Sequence, residues 1–335
     1  MPPATPWIRI LCRVAHLAIN GASPTAYPRS VSSTTPGVPA EARDAILAWY
    51  AERGRPLAFR RTRDPYAVLV SESMAQQTQA ARAAMYWERF MKRFPTVAVL
   101  AASTPADVLR EWQGLGYDRR ALALWRTARI VMAEHGGRIP STVAELEALP
   151  GVGPYTARAV GALAFDLAVG AVDVNVRRVL GRIVAGDPAE FTRVEIQHVA
   201  DEAVPADRPG PWTHAVMDVG ATVCRPRAPR CDECPARPWC RYAASREHRS
   251  TGTAQPRPAR EAAAPFASTN RWLRGRILDR LRAAPDGSWV ALDDRIGEHE
   301  PASVRTAATR MAADGVLELE SGPRNGPLRA RLPLA

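Results

Sequence analysis

Lysine is almost missing from this 335-residue chain: of its 45 basic residues, 44 are arginine, and the single lysine is Lys92. Chemistry that needs a side-chain amine, such as a Schiff base with a sugar carbon, therefore has one candidate. Cysteine is also scarce. There are five, of which Cys12 stands alone and Cys224, Cys231, Cys234 and Cys240 fall within seventeen residues. One tight cluster excludes a secreted disulfide scaffold and reads as a metal site. No apolar run approaches the ~20 residues that span a bilayer, which excludes a helical membrane span. The apolar stretch Ile10 to Ile19 is broken by Arg13 and His16 and lacks the uninterrupted core of a signal peptide. Glycine and proline total 52, too few for a low-complexity chain.

What is present is positive charge. The formal net charge of +11 points to nucleic acid or another anionic surface. It is unevenly placed: about +5 over residues 1–65, +1 over 66–240 and +5 over 241–335. A nearly neutral middle means that any nucleic-acid contact there depends on local placement. Residues 1–39 read as a disordered extension, rich in Ser, Thr, Pro and Gly from Gly21 onward. Residues 40–245 show helical periodicity punctuated by Pro and Gly, with no strand alternation, and predict an all-α region. Ser103 or Thr104 before Pro105, and Ser141 before Glu145, are candidate N-caps. Residues 246–265 read as a linker. Residues 266–335 predict a small winged-helix-like α/β module: helices over Trp272 to Ala283, Val290 to Ile296 and Ser303 to Ala313, then a β-hairpin. Its second or third helix is a candidate for a DNA groove; a protein-binding or purely structural module fits the pattern equally.

Three features carry chemistry. Four thiolates with the spacing Cys224-x6-Cys231-x2-Cys234-x5-Cys240 can hold an iron–sulfur cluster or a structural zinc. Only one short Cys-x-x-Cys pair is present, which favours a [4Fe–4S] cube over a zinc ribbon. Arg225, Arg227 and Arg230 lie in the first loop of this cluster, where guanidiniums can meet phosphates; a solvated face is the plainer alternative. Second, Leu149-Pro-Gly-Val-Gly-Pro154 separates two helical patterns. Gly151, Val152 and Gly153 offer backbone amides beside a helix N-terminus, an arrangement that suits phosphate without base readout. Third, Glu72 and Asp173 are isolated acids in apolar surroundings. Such a setting raises a carboxyl pKa and keeps the group protonated, as a general acid requires. The plainer alternatives are a first-turn acid for Glu72 and an N-cap for Asp173.

The run Ser71 to Gln79, Gly114-Leu-Gly-Tyr117, Leu149 to Ala157, Val172-Asp-Val-Asn-Val176 and the four-cysteine loop together resemble the helix-hairpin-helix DNA glycosylases of the endonuclease III superfamily. The resemblance spans roughly residues 40–245 and is nearest to the adenine-specific mismatch glycosylases (the MutY type). It implies a six-helix barrel over 66–173 and an iron–sulfur domain built from 40–65 and 174–245. It further implies that Glu72 protonates a departing adenine and that Asp173 stabilises an oxocarbenium-like sugar, as carboxylates do in glycoside hydrolysis. Asn175 would orient water or the acids, and Tyr155 would line the base pocket. Arg55, Leu57, Phe59 and Arg60 would form the adenine-pocket loop, and Gln77 and Tyr117 would wedge into the duplex while the base is flipped. Bifunctional relatives carry a lysine where this chain has Tyr155, so little lyase activity is expected.

The chain departs from that pattern at several positions. It has Leu57-Ala-Phe-Arg60 where the family usually has Leu-Pro-Trp-Arg, Ala75 in place of Leu, Val174 in place of Gly, and Asp118 in place of an aromatic. Many members also end in a Nudix-like β-rich domain, for which residues 266–335 are too short and too helical. The resulting expectation is a monofunctional glycosylase in base excision repair, acting on adenine opposite 8-oxoguanine or guanine in double-stranded DNA. It would be monomeric, cytoplasmic and nucleoid-associated, with one [4Fe–4S] cluster. A thymine or uracil mismatch glycosylase of the same superfamily and a non-catalytic iron–sulfur DNA sensor are the competing readings.

Overall fold

The computed structural model describes residues 37–249, 265–321 and 327–334. Residues 1–36 of the expected N-terminal extension and 250–264 of the expected 246–265 linker lie outside them, and residues 246–249 of that linker are helical. The first helix is α1 (Ala40–Arg53). After it come α2 (Pro65–Ala75), α3 (Ala80–Arg93), α4 (Val97–Ala102), α5 (Pro105–Glu111), α6 (Arg119–Glu134), α7 (Val143–Glu147) and α8 (Pro154–Ala164). The series continues with α9 (Val174–Val184), α10 (Arg193–Ala203), α11 (Pro209–Asp218) and α12 (Arg241–Arg249). No strand occurs among the described residues of this region, in line with the all-α expectation.

Local chemistry sets the helix starts. Proline at the first position begins α2, α5, α8 and α11, where its missing N–H costs nothing. Asp64 caps α2, and Thr104 with Asp107 forms a reciprocal capping box on α5. Thr142, not Ser141, caps α7, because it is Thr142 whose hydroxyl accepts from Glu145 N.

Two apolar cores result. The first gathers side chains of α2 through α8, with Trp112, Phe90 and Phe94 fully buried at its centre. The second joins α1 to α9, α10 and α11 through Ile46, Leu180, Ile196 and Trp212. Chain segments far apart in sequence thus share the second core, and the site described below lies where the two cores meet.

The C-terminal module contains α13 (Asn270–Ala283), β1 (Val290–Ala291), α14 (Pro301–Ala313), β2 (Glu318–Ser321) and β3 (Leu328–Arg331). Its antiparallel sheet has the order β1-β3-β2. The helix expected over Val290 to Ile296 is absent. Val290 and Ala291 pair with β3, and Asp293 Oδ1 accepts the Leu328 amide at 2.9 Å, which holds the segment extended. Leu273, Ile277 and Leu281 continue the first core without a break. Arg282 donates to Asp118 at 2.6 Å and to the Leu109 carbonyl at 3.0 Å, and Ala106 N donates to Pro333 O at 3.1 Å. The module is therefore packed and bonded onto α5 and the start of α6.

Candidate active site and DNA-facing surface

Glu72 sits in the middle of α2, a helix whose residues from Tyr66 to Met74 are all buried. It is not a first-turn acid. The Tyr155 hydroxyl, from the first turn of α8, donates to Glu72 Oε2 at 2.9 Å and also lies 3.8 Å from Met217 Sδ. Burial pushes the Glu72 pKa up to about 7, and the Asp173 carboxylate adds to the rise. The Tyr155 hydrogen bond and the Arg60 charge pull the other way without cancelling it. A carboxyl group half protonated near neutral pH is matched to general-acid work. Burial also raises the Tyr155 pKa well above that of an ordinary phenol, with Glu72 and Asp173 both contributing, so Tyr155 keeps the proton that it donates to Glu72. Positions 72 and 173, which sequence spacing does not join, thus act on one phenol.

Asp173 caps α9: its Oδ1 accepts from Asn175 N at 2.8 Å and Val176 N at 2.7 Å. Its Oδ2 accepts from Asn175 Nδ2 at 2.8 Å. The cap and the functional reading coincide, because the three hydrogen bonds fix the position of the carboxylate and use its oxygens as acceptors. Asn175 is held in turn by Arg178, which donates to Asn175 Oδ1 at 2.8 Å, to Gly220 O at 2.7 Å and to Cys224 O at 2.7 Å. Gly220 also packs close to Asn175, so that a Cβ there would lie 2.6 Å from the Asn175 Cβ. Arg178 therefore connects the candidate catalytic pair to the cysteine loop. No sequence signal singled it out among the arginines.

Arg55 and Arg60, expected in a base-pocket loop, converge on Asp218 at the end of α11. Arg55 donates at 2.6 Å, and Arg60 makes a two-pronged pair at 2.7 and 2.8 Å. Asp218 has no solvent exposure. Burial alone would raise its pKa, but the Arg60 and Arg55 hydrogen bonds and charges outweigh it and hold it below the usual aspartate value. His214, one turn earlier and half-buried, has its pKa pushed down to about 3 by desolvation and then by Arg60, so it is neutral. Leu57 is half-buried against the first core. Phe59 is buried in it, edge-on to Trp87 with ring centroids 6.4 Å apart. Asp218 and His214 were not legible as site residues: both read as ordinary positions of an amphipathic helix.

The hairpin between α7 and α8 turns at Gly151, where φ is +76° and a Cβ would come within 2.7 Å of Ala123 Cβ. The Val152 side chain is buried and its N–H is given to Leu149 O at 3.1 Å, so the amide expected to meet a phosphate there already has an acceptor. Gly153 caps α8 with open space around it. The first-turn amides of α8, which have no intrahelical acceptor, complete this surface. Gln77 and Tyr117 are exposed on loops, and both have left-handed backbone with φ of 55° and 53°. Such strain in non-glycine residues concentrates at functional sites.

The four cysteines line one pocket with Arg182, Pro229 and Tyr242. Among the described residues no group of three or more His, Cys, Asp and Glu side chains is gathered as for a single metal ion. All four thiols are partly buried around that pocket. Arg182, buried, donates to Cys224 Sγ at 3.3 Å and to Arg225 O at 2.8 Å, and is placed to offset thiolate charge. Arg225, Arg227 and Arg230 are exposed on the loop; Arg230 pairs with Glu233 at 3.3 Å. Lys92 is exposed in the last turn of α3, and Tyr155, not a lysine, faces Glu72.

Residues 70–204 match the HhH-GPD superfamily of base excision DNA repair proteins. The adenine DNA glycosylase of Mycolicibacterium smegmatis is 39% identical over 277 residues, covering 82% of this chain and 91% of that protein. That of Mycobacterium tuberculosis is 40% identical over 261 residues, covering 77% and 80%. The human one is 41% identical over 211 residues, 59% of this chain and 39% of that protein. The chain belongs to the adenine DNA glycosylase family. Among solved structures, a thermostable thymine-DNA glycosylase is similar with a TM-score of 0.58 at 28% identity, covering 61% of this chain and 95% of that one. An endonuclease III–DNA complex is similar in fold, with a TM-score of 0.54 at 22% identity, covering 62% and 95%.

Proposed function

We propose that the protein is a monofunctional adenine DNA glycosylase of base excision repair, acting on adenine opposite 8-oxoguanine or guanine in double-stranded DNA. The observation that carries the reading is the buried Glu72–Tyr155 pair beside a capped Asp173. Protonated Glu72 donates to a ring nitrogen of the flipped adenine as the N-glycosidic bond breaks. The bonding electrons leave with the base, and the Asp173 carboxylate stabilises the positive sugar. Water then adds at the anomeric carbon, and its proton returns to the Glu72 carboxylate. Asn175 fixes Asp173, and Tyr155 fixes Glu72. No amine is present at this site to form a Schiff base, so strand cleavage needs added alkali. Thymine excision, the competing reading, has no ring nitrogen acceptor for such an acid, which favours adenine.

The acid reading predicts a pH profile. Glu72 acts only when protonated, so single-turnover excision is expected to hold below pH 7 and to fall about tenfold per unit above it. Single-turnover rates across pH on a duplex with A opposite 8-oxoguanine check this; a rate that rises through pH 8 contradicts it.

The four cysteines are the proposed ligands of one [4Fe–4S] cluster, with zinc the alternative. When bound, the cluster supplies a rigid scaffold for the Arg225–Arg230 loop. Cys231→Ser is expected to lose the protein's broad visible absorbance and to weaken duplex binding. A colourless wild-type protein that contains zinc contradicts the cluster assignment.

A further inference from the structure

Tyr117 lies between two guanidiniums, with Arg120 at 5.4 Å and Arg271 at 5.0 Å from its ring centroid. Arg120 is tied down by the Ser73 and Gly116 carbonyls at 2.9 and 3.1 Å. Arg271 comes from the first turn of α13, in the C-terminal module, and is exposed. Three other arginines of α13 are paired: Arg274 with Asp314 at 2.9 Å, Arg276 with Asp279 at 2.6 Å and Arg282 with Asp118 at 2.6 Å. Arg271 has neither a carboxylate nor a carbonyl partner among the described residues, only the Tyr117 ring. Arg271 lines a groove together with Tyr117, Gln77, Thr78 and Gln79. The placement is held firmly, because Arg282 grips Asp118, the residue after Tyr117, and both side chains are mostly buried.

We propose that α13 is part of the duplex-binding surface, with Arg271 holding the Tyr117 wedge by a cation–π contact and donating to a DNA phosphate across the groove. The proposal rests on the reading of Tyr117 as a wedge. It makes Arg271 a positioning residue that acts on base flipping through Tyr117. A guanidinium without a carboxylate partner, beside an exposed ring in strained backbone, is suited to both contacts at once. The proposal places a DNA contact of the module on its first helix.

The test uses the full chain and duplexes with 2-aminopurine in place of the target adenine, whose fluorescence rises when the base leaves the stack. Arg271→Ala is expected to lower the flipped population about 3- to 30-fold, the range of one cation–π contact. It should also reduce the slope of log affinity against log salt by about one, whichever base stands opposite. Arg276→Ala, which removes a paired guanidinium from the same helix, is expected to change neither. In Tyr117→Ala, the further change to Arg271→Ala should affect the salt slope alone. An Arg271→Ala protein that flips normally and keeps its salt slope overturns the proposal. A loss confined to guanine-containing partners overturns the phosphate assignment in favour of base reading. If Tyr117→Ala itself flips normally, the wedge reading fails, and that outcome is distinct from failure of the Arg271 contact alone.

Discussion

Glu72→Gln is expected to lower single-turnover excision of adenine by ~10²–10⁴-fold while leaving duplex affinity unchanged. The substitution keeps the size of the side chain and its hydrogen-bond acceptor for Tyr155 but removes the ionisable proton. The same change has a signature in stability. The folded pKa of Glu72 is raised to about 7 from an ordinary value of 4.5, so the folded state binds an extra proton between those limits. Stability then falls as pH rises through this window, because burying the charged form is unfavourable. Glu72→Gln removes that penalty. Relative to wild type, the variant should gain stability at pH 8 and gain little at pH 4. Thermal melts at the two values check the sign, and unchanged excision by the variant would remove Glu72 from the mechanism.

Asp218→Ala should be among the most destabilising single changes in the molecule, by about 3–5 kcal/mol, the cost of leaving a buried charge without its partner. Asp218 is inaccessible to solvent and neutralises both Arg55 and Arg60. Its removal strands the mostly buried Arg60 guanidinium beside a neutral His214. The released Arg60 charge also lies near Glu72, and its attraction would lower the Glu72 pKa and move the excision profile to lower pH. Because the Asp218 pKa is depressed, its stabilising contribution is complete above the ordinary aspartate value and is lost only as the pH falls below it. Urea unfolding at pH 7 and pH 3 should therefore show a larger difference between wild type and Asp218→Ala at the first pH than at the second.

The all-α region and its punctuation were legible because proline, glycine and capping residues act locally. Pro154 after Gly153 starts α8, and Asp64 before Pro65 starts α2, with no help from the rest of the chain. The C-terminal module was harder. Val290 to Ile296 has a helical spacing of apolar residues, but the segment is short, and the Asp293 carboxylate bonds to a strand 35 residues away. Local pattern lost to a distant partner. The same reason hid Asp218, His214 and Arg178: each owes its role to side chains that come from other helices. Glu72 and Asp173 could be singled out by their apolar flanks. Their action on a common Tyr155 phenol is a property of how α2, α8 and the α9 cap pack, and no spacing in the chain encodes it.

The most direct test of the whole account is single-turnover excision by the wild-type protein on duplexes with A opposite 8-oxoguanine, A opposite G and T opposite G, each with and without alkali. The account predicts strand cleavage at adenine that requires alkali, and none at thymine. Cleavage at thymine alone, or scission at adenine without alkali, would contradict it.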